Sequence, residues 1–293
     1  MSALRVRAPA TTANLGPGFD CAGAALDLWN ELEVSDGDGV VVHGEGVDEI
    51  EAGPGHLGLR AFALVAPVEG RRFAFTNRIP LARGLGSSAS TIALGLVAGA
   101  ICAGRWPDPE ELLAIGLELE GHADNLAAAL AGGVCLTWVD RAGRPRLRRV
   151  ASSLPLVPIA VVPSTHVSTK AARASLPELL PHGDATFTVS RATLLGAALA
   201  TGAADLLAEA FDDRLHEPYR GPLSTVFGPL REEPPAGAAG VTVSGSGPTV
   251  IVWARPDEAE GCEAGIRARG LEAAVLRLDV APRGAGPIED VRP

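Results

Sequence analysis

Short runs of apolar residues, bounded by Gly, Pro and polar clusters, recur along the chain and predict strands. Longer stretches with apolar residues at helical spacing lie between them and predict helices. Strands and helices follow one another without an internal repeat or a strict βαβ rhythm, which indicates an α+β fold. The predicted strands are Arg5–Ala8, Glu31–Val34, Val40–His43, Arg72–Thr76, Gly133–Val139, Arg146–Val150, Leu156–Val162, Gly240–Val243, Val250–Trp253 and Ala273–Leu278.

The helical stretches carry start and stop signals. Asp108 precedes Pro109 and two glutamates, which predicts an N-cap followed by a proline at the first helical position. Gly202 interrupts an Ala/Leu-rich stretch, so two helices are expected there. The segment Ala151–Val157 is the predicted boundary between two domains, residues 1–152 and 153–293. The predicted helices are His56–Val65, Ser87–Ala103, the one opening at Asp108, Leu194–Ala210 and Pro256–Arg269.

Composition narrows the class of protein. A chain of 293 residues, 47% of them hydrophobic, can bury a large core. Its net charge of −10 argues against a nucleic acid or an anionic membrane as a partner. The N-terminal sequence lacks the apolar core of a signal peptide, and no apolar stretch is long enough to cross a bilayer, so a cytoplasmic location is expected. Four cysteines form no CxxC pair and are expected to be reduced thiols: Cys21, Cys102, Cys135 and Cys262.

The segment Arg83–Ser90, RGLGSSAS, has the composition of a phosphate-binding loop. Its glycines permit backbone angles closed to other residues, and its serines add hydroxyls without bulk. An apolar helix is predicted directly after it, so free amides and the positive end of the helix dipole would meet at one spot. The loop is not a Walker A motif, because Gly86 is followed by Ser87 and not by Lys. The alternative is a turn that caps a buried helix, with Ser87 as the N-cap.

A second polar cluster, Glu118–Asn125, reads ELEGHADN. It contains carboxylates, an imidazole and an Asp-Asn pair within a short span, more than a solvated helix end requires. Carboxylate oxygens are ligands that a hard cation such as Mg²⁺ prefers, and water or ligand oxygens can complete its coordination. The cluster is therefore a candidate metal and substrate site, and its alternative is an exposed helix C-terminus ending at Gly121.

Three segments carry a resemblance to a known family. PATTANLGPGFDCAGAAL (motif 1, residues 9–26), PLARGLGSSAST (motif 2, residues 80–91) and VSGSGPTV (motif 3, residues 243–250) resemble the three motifs of the GHMP kinases, in that order. The strings ANLGPGFD and EGHADN resemble the homoserine-phosphorylating branch of that family. The resemblance implies a GHMP kinase fold, with an N-terminal domain like ribosomal protein S5 domain 2 and a ferredoxin-like C-terminal domain. The active site would lie between them.

The resemblance also implies roles for individual residues. Glu118 would be the metal-binding acid and Ser88 its hydroxyl partner, with Glu120 as the runner-up, and Asp20 would at most orient the reacting hydroxyl. The catalytic set is thus Glu118, Ser88 and Asp20, and the metal set Ser88 and Glu118. The implied ATP-binding residues are Pro80, Leu81, Ala82, Arg83, Gly84, Leu85, Gly86, Ser87, Ser88, Ala89 and Ser90. The implied substrate-binding residues are Asn14, Asp20, His122, Asp124, Asn125, Thr169, Arg173, Arg220 and Gly245.

Plainer interpretations of four of these residues stay open. Arg173 alone would be a surface arginine on a short helix, and Arg220 alone would pair with Glu217. A lone His122 would be an ordinary, partly buried histidine. Gly245 and its neighbours could form a hairpin turn with no ligand.

The expected function is an ATP- and Mg²⁺-dependent kinase that phosphorylates the L-homoserine hydroxyl in threonine biosynthesis. Its expected partners are ATP and L-homoserine, with homodimerisation left open. The alternatives are another small-molecule GHMP kinase or a related diphosphomevalonate decarboxylase, which would need a basic cluster for a diphosphate. A GHMP-fold sensor without turnover and a purely structural protein complete the alternatives.

Overall fold

The computed structural model describes residues 3–288 of the chain. Its strands are β1 Leu4–Ala13, β2 Ala22–Asp36, β3 Gly39–Gly44, β4 Arg71–Asn77, β5 Val134–Val139, β6 Pro145–Ala151, β7 Val157–Pro163, β8 Ala238–Val243, β9 Val250–Ala254, β10 Ala273–Arg277 and β11 Gly286–Pro287. Its helices are α1 Leu57–Ala63, α2 Ser87–Cys102, α3 Pro109–Gly116, α4 Ala123–Ala131, α5 Thr169–Ala174, α6 His182–Thr201, α7 Ala204–Ala210, α8 Glu217–Arg220, α9 Phe227–Glu232 and α10 Ala259–Ala268, with a 3₁₀ turn at Gly221–Leu223.

The first sheet is built around the long strand β2. Strand β1 pairs with β2 along most of its length, and β5 and β4 share the other edge. The sheet runs β11-β1-β2-β4-β3, with β6 added outside β5; β3 is parallel to β4. Helices α1 to α4 supply an apolar cluster on one face, where the rings of Phe62 and Phe73 meet edge to face at 4.9 Å.

The second sheet has four antiparallel strands in the order β10-β7-β9-β8. Numbered within this sheet, the order is 4-1-3-2, and helices connect its first to second and its third to fourth strands. This is the split βαβ arrangement expected for a ferredoxin-like domain. Side chains of β7 alternate between two apolar clusters: Ala160 and Val162 face the first sheet and α6, while Ile159 and Val161 face α9 and α10. The predicted α+β class is confirmed.

Each predicted strand is present, usually with one or more further residues at its ends. Asp108 accepts from the amides of Glu110 and Glu111, as predicted for an N-cap. Gly202 ends α6 with φ 69° and so separates it from α7, but α6 begins at His182, well before the predicted start. The helices α4, α5, α8 and α9 were missed, since each has nine residues or fewer and a helical period is hard to read over so short a run.

The segment between β6 and β7, where the domain boundary is predicted, is also where the chain passes from one sheet to the other. One segment crosses back: β11 pairs with β1, and Ala281 and Ala285 bond to the backbone of the first sheet and of α4. The division at residue 152 stays a prediction. No helix within residues 3–288 combines the length and the apolar character needed to cross a bilayer.

Candidate active site

The three sequence motifs meet at the turn between β8 and β9. The hydroxyl of Ser244, fully buried, donates to the Gly84 carbonyl at 2.7 Å and lies 2.9 Å from the Thr12 hydroxyl. The Gly245 amide donates to the Ala13 carbonyl at 3.2 Å. Asn14 donates its side-chain amide to the Gly245 carbonyl at 2.9 Å. Motif 3, at the end of β8 in the second sheet, therefore joins motif 1 on the first sheet to the loop of motif 2 that precedes α2.

Backbone strain is concentrated in the same place. The non-glycine residues with positive φ in the described chain are Asn14 (73°), Leu15 (48°), Asp20 (56°) and Ala82 (53°), and all lie in motifs 1 and 2. Each such conformation costs on the order of 1 kcal/mol or more and persists only where the surroundings enforce it. The bonds of Asn14 to the Asp20 amide and to Gly245 supply that enforcement for motif 1.

A cavity of about 330 Å³ opens along the phosphate loop. Predicted residues that line it are Leu81, Ala82, Arg83, Gly84, Gly86, Ser87, Ser88, Ala89, Asn125, Thr169 and Gly245. Its other lining residues are Ile50, His56, Leu57, Thr91, Glu120, Val167, Ser168 and Ser246. The lining thus combines polar amides and hydroxyls with the apolar side chains of Ile50, Leu57 and Leu81.

Three residues of the predicted ATP-binding loop face elsewhere. Leu85 is fully buried in the core between the sheets. Ser90 donates its hydroxyl to the Ala8 carbonyl of β1 at 3.1 Å. Pro80 lines a neighbouring cleft. Strand β4 buries Phe73 and Phe75 in the core and does not line this cavity.

The loop closes onto α2 through Gly86, which has φ 65° and occupies the N-cap position. The alternative of Ser87 as the N-cap is wrong, because Ser87 is already the first helical residue. A Cβ on Gly86 would lie 1.8 Å from the Thr11 hydroxyl oxygen, which itself bonds to Asn125 at 2.7 Å. Gly86 therefore permits both the left-handed turn and the close approach of β1.

We expect Gly86→Val to raise the KM for ATP by roughly tenfold or more, since a valine there is strained and displaces a cavity wall. Steady-state kinetics would measure the KM, and circular dichroism would report the fold. Gly183→Val is a matched control, because a Cβ there meets nothing within 4 Å. A folded Gly86 variant with unchanged KM for ATP would remove this residue from the site.

The two glutamates of ELEG lie in different surroundings. Helix α3 ends at Gly116, and the turn after it leaves Glu118 exposed while Glu120 faces the cavity. Burial raises the pKa of Glu120, and the adjacent Ser88 hydroxyl offsets part of that rise. Oxygen Oε2 of Glu120 is buried without a hydrogen-bond partner. The geometry thus brings Ser88 together with the runner-up Glu120 and leaves Glu118 outside.

The pair suits a hard cation held mainly by other ligands. An unpartnered carboxylate oxygen beside a hydroxyl, at the mouth of a phosphate loop, is the oxygen donor set that Mg²⁺ prefers. Within residues 3–288, no three His, Cys, Asp or Glu side chains lie close enough to hold a metal alone. Phosphate oxygens and water would have to complete the coordination.

Two guanidiniums lie beside the cavity, one against Asp20 of motif 1 and one against Gly245 of motif 3. Arg173 Nη2 contacts both carboxylate oxygens of Asp20, at 2.8 and 3.0 Å. Arg220, only 3% exposed, donates from Nη1 to the Gly245 carbonyl at 3.0 Å, and not to Glu217. The Nε atoms of Arg173 and Arg220 are both buried without a hydrogen-bond partner. Each guanidinium therefore keeps an unsatisfied donor.

Helix α4 brings His122, Asp124 and Asn125 to the same region. Asp124 is 3% exposed, and burial raises its pKa to about 7, although the Asn125 amide donates to it at 2.7 Å. Burial lowers the pKa of His122, and the Arg173 charge lowers it further. The Asp20 charge raises the pKa of both His122 and Asp124, so motif 1 lies close to the start of α4. The effect of Arg173 on His122 places α5 beside them.

Hydrogen bonds of two buried carboxylates hold helix α8, which carries Arg220, in position. The Asp213 carboxylate caps the helix by accepting from the amides of Leu215, His216 and Glu217. Glu217 accepts from the Val243 amide at 2.7 Å through Oε1, while Oε2 has no partner. Burial raises the pKa of Glu217 to about 8. A short, isolated turn is thus held at a defined position against β8.

Sequence reasoning missed several residues of this region. Thr11, Thr12 and Ser244 connect the motifs to one another and to α4, and His56 lies in the cavity wall with its ring 4.1 Å from that of Phe75. The threonines and Ser244 stand inside the quoted motifs, so their position was the available signal. His56 had none, because nothing in its neighbourhood differs from an ordinary helix start.

Comparison with known proteins gives consistent matches. The model of the GHMP kinases N terminal domain matches residues 56–133, and that of the GHMP kinases C terminal matches residues 194–270. The homoserine kinase of Moorella thermoacetica is 38% identical, over 96% of this chain and 98% of its own. That of Streptomyces coelicolor is 40% identical, over 97% and 94%. The crystal structure of homoserine kinase from Cytophaga hutchinsonii superimposes with a TM-score of 0.84 at 26% identity, covering 98% of both chains.

Proposed function

The chain belongs to the GHMP kinases and, within them, to the homoserine kinases; we propose that it transfers the γ-phosphoryl group of ATP to the side-chain hydroxyl of L-homoserine. The observation that carries the substrate assignment is the pair of buried, unpartnered Nε–H donors on Arg173 and Arg220. Unsatisfied charged donors of this kind are costly and are expected to meet an anionic group of a ligand.

ATP would occupy the cavity of about 330 Å³ along motif 2. The free amides at the start of α2 and the positive end of its dipole suit the phosphates. The apolar part of the cavity, with Ile50, Leu57 and Leu81, suits the base. Arg83, whose Nε donates to the Pro163 carbonyl, would stiffen the loop from the side of the second sheet.

Glu120 and Ser88 would hold Mg²⁺, in place of the Glu118–Ser88 pair expected from the sequence. Bound there, the ion would neutralise charge that develops on the transferred phosphoryl group. The support is the unpartnered Oε2 of Glu120 next to the Ser88 hydroxyl. Glu118 is exposed and outside the cavity, which leaves it no part in this role.

The homoserine carboxylate would lie between Arg173 and Arg220. A guanidinium matches a planar carboxylate with parallel N–H donors, and two of them make a strong site for one such group. In the free protein the Asp20 carboxylate already binds Arg173, through Nη2 alone. A zwitterionic substrate can exchange with this ion pair, with its carboxylate on Arg173 and its ammonium against Asp20.

The same cluster would orient the reacting hydroxyl. His122, Asp124, Asn125 and Thr169 are the remaining polar groups near the junction of cavity and arginines. Phosphoryl transfer through a loose transition state depends on positioning and charge stabilisation more than on a strong base. Lys170, the chain's only lysine, is exposed on α5, which disfavours an Asp–Lys catalytic pair of the mevalonate kinase type.

The direct test is phosphate transfer from ATP measured across homoserine, mevalonate, phosphomevalonate and shikimate. Homoserine is expected to be the preferred acceptor by kcat/KM. Phosphorylated acceptors such as phosphomevalonate need a larger basic cluster, and the two arginines suit a lone carboxylate better. Mevalonate has a lone carboxylate but no ammonium group to pair with Asp20. Faster phosphorylation of mevalonate would overturn the substrate assignment and leave the GHMP kinase family membership intact.

We expect Arg173→Lys to raise the KM for homoserine at least ~tenfold, because a point charge replaces a bidentate donor. The KM for ATP should barely change. Arg267→Lys is the control, since Arg267 forms a comparable pair with Glu263 on the distant helix α10. An unchanged KM for homoserine in both Arg173→Lys and Arg220→Lys would remove the carboxylate from this position.

A further inference from the structure

The two guanidiniums of the proposed substrate end share one aromatic ring. The Cζ atom of Arg220 lies 4.9 Å from the centroid of the Phe19 ring, and that of Arg173 lies 5.5 Å from it. Both distances fall within the ~6 Å over which a cation is attracted to an aromatic ring. Two like charges are thus gathered around a single side chain before any substrate is bound.

Holding these charges together has a cost. Burial lowers the pKa of Arg220, and the neighbouring charge of Arg173 lowers it further. Asp20 hydrogen-bonds to Arg173, and its charge also offsets part of the lowering of the Arg220 pKa. The Gly245 carbonyl accepts from Arg220. Neither Asp20 nor Gly245 hydrogen-bonds to both guanidiniums, whereas the Phe19 ring contacts both.

Contacts with other residues hold the Phe19 ring in place. The fully buried His216 stacks on Phe19 with ring centroids 5.1 Å apart, and its Nε2 hydrogen-bonds to the Gly16 carbonyl at 2.8 Å. Burial lowers the pKa of His216, so at neutral pH it is an uncharged stacking partner. Asp20, next in sequence, is held at φ 56° by Asn14. Phe19 therefore has little freedom to move away from the arginines.

We propose that Phe19 is a positioning residue that holds Arg173 and Arg220 together as a preformed carboxylate fork and so determines the preference for an acceptor with a free carboxylate. This inference rests on the proposed function and extends it to a residue that has no polar atom. The attraction of a ring for each cation, when partly desolvated, is large enough to affect binding by about tenfold.

The first experiment compares Phe19→Leu with Phe19→Tyr. Leucine keeps apolar volume but has no ring, so the KM for homoserine should rise about tenfold with little change in kcat or in the KM for ATP. Tyrosine keeps the ring and should restore the original KM. Phe187→Leu is the matched control, because Phe187 also carries two guanidiniums, those of Arg191 and Arg214 at 5.0 and 4.0 Å, outside the cavity.

The second experiment separates the ring's electrostatics from its packing. Replacing Phe19 by phenylalanines with increasing fluorine content keeps the shape and weakens the negative ring face, so the KM for homoserine should rise with each step. The same series is measured with homoserine amide, which lacks the carboxylate. Its kinetics should not follow the fluorine content, so the ratio of kcat/KM for homoserine over the amide should fall.

Three results would overturn the inference while leaving the proposed function in place: an unchanged KM in Phe19→Leu, equal losses for homoserine and its amide, or no dependence on fluorine content. A general structural role for Phe19 would produce the second of these. Failure of the unmodified protein to phosphorylate homoserine would instead overturn the proposed function, and this inference with it.

Discussion

Glu120→Gln is expected to lower kcat by roughly 10²–10³-fold, the usual loss when one group that stabilises transition-state charge is removed. The substitution keeps the shape of the side chain and the volume of the cavity but removes the charge beside Ser88. The requirement for Mg²⁺ should also shift to higher concentration, because the proposed protein ligand is then neutral. Steady-state kinetics at saturating ATP and homoserine, repeated across a Mg²⁺ titration, would measure both effects.

Glu118→Gln is the matched control, two residues away and exposed. It should leave kcat and the Mg²⁺ dependence nearly unchanged. The opposite ranking of the two variants would return the metal-binding role to Glu118, as the motif first suggested. Equal and small effects in both would mean that neither glutamate holds the ion.

The second large effect concerns stability and pH. Glu217 is completely buried, and its pKa is raised to about 8. The unfolded chain releases this proton near pH ~4.3, so between these values the folded protein binds more protons than the unfolded one. Stability contributed by this group is therefore present at low pH and is lost as the pH rises towards 8. At about 1.4 kcal/mol per pKa unit, the loss reaches up to roughly 5 kcal/mol.

Glu217→Gln removes this dependence, because an amide does not ionise while its oxygen can still accept from the Val243 amide. The variant should match the original protein in unfolding free energy below about pH 4 and become progressively more stable than it towards pH 8. Urea unfolding at a series of pH values would measure the unfolding free energy of both proteins. The contributions of His56, His122 and His216 are common to both and cancel in the difference. Glu260→Gln, at an exposed position, is the control. A constant difference across the range would contradict the prediction.

Local pattern predicted the glycine turn at residues 84–86 and the helix after it, because both depend on consecutive residues. Gly84 and Gly86 adopt φ of 82° and 65°, and the apolar helix α2 begins directly after them. The same is true of the Asp108 cap and of the break at Gly202. Where a structural feature and the residues that cause it lie in one short segment, the sequence predicts that feature.

The spacing of residues in the sequence does not decide whether Glu118 or Glu120 faces the cavity. Helix α3 ends at Gly116, and the following turn decides which carboxylate faces inward. Whether a turn or a further helical turn forms there depends on packing against α4 and the core. The two unpaired Nε atoms likewise arise only when α5 and α8 approach motif 1, from more than a hundred residues away in the chain.

Phe19 illustrates the same limit. In the sequence it is an aromatic residue in a Gly/Pro loop, and it acquires meaning only from arginines contributed by the second half of the chain. The bond between Thr11 and Asn125, 114 residues apart, is of the same kind. Motifs identify such residues as a group, and their individual contacts require the fold.

The return of the chain to its first sheet bears on how the protein is made. Strand β11 forms an edge of that sheet, and the segment leading to it bonds to Ala25, Asp27, Ala129 and Gly133. During synthesis the edge of this sheet beside β1 stays unpaired until the segment that leads to β11 has been made, well after β6. A nascent chain stalled after β6 would expose that edge to neighbouring chains, which makes this interval the one in which a chaperone would be of most use.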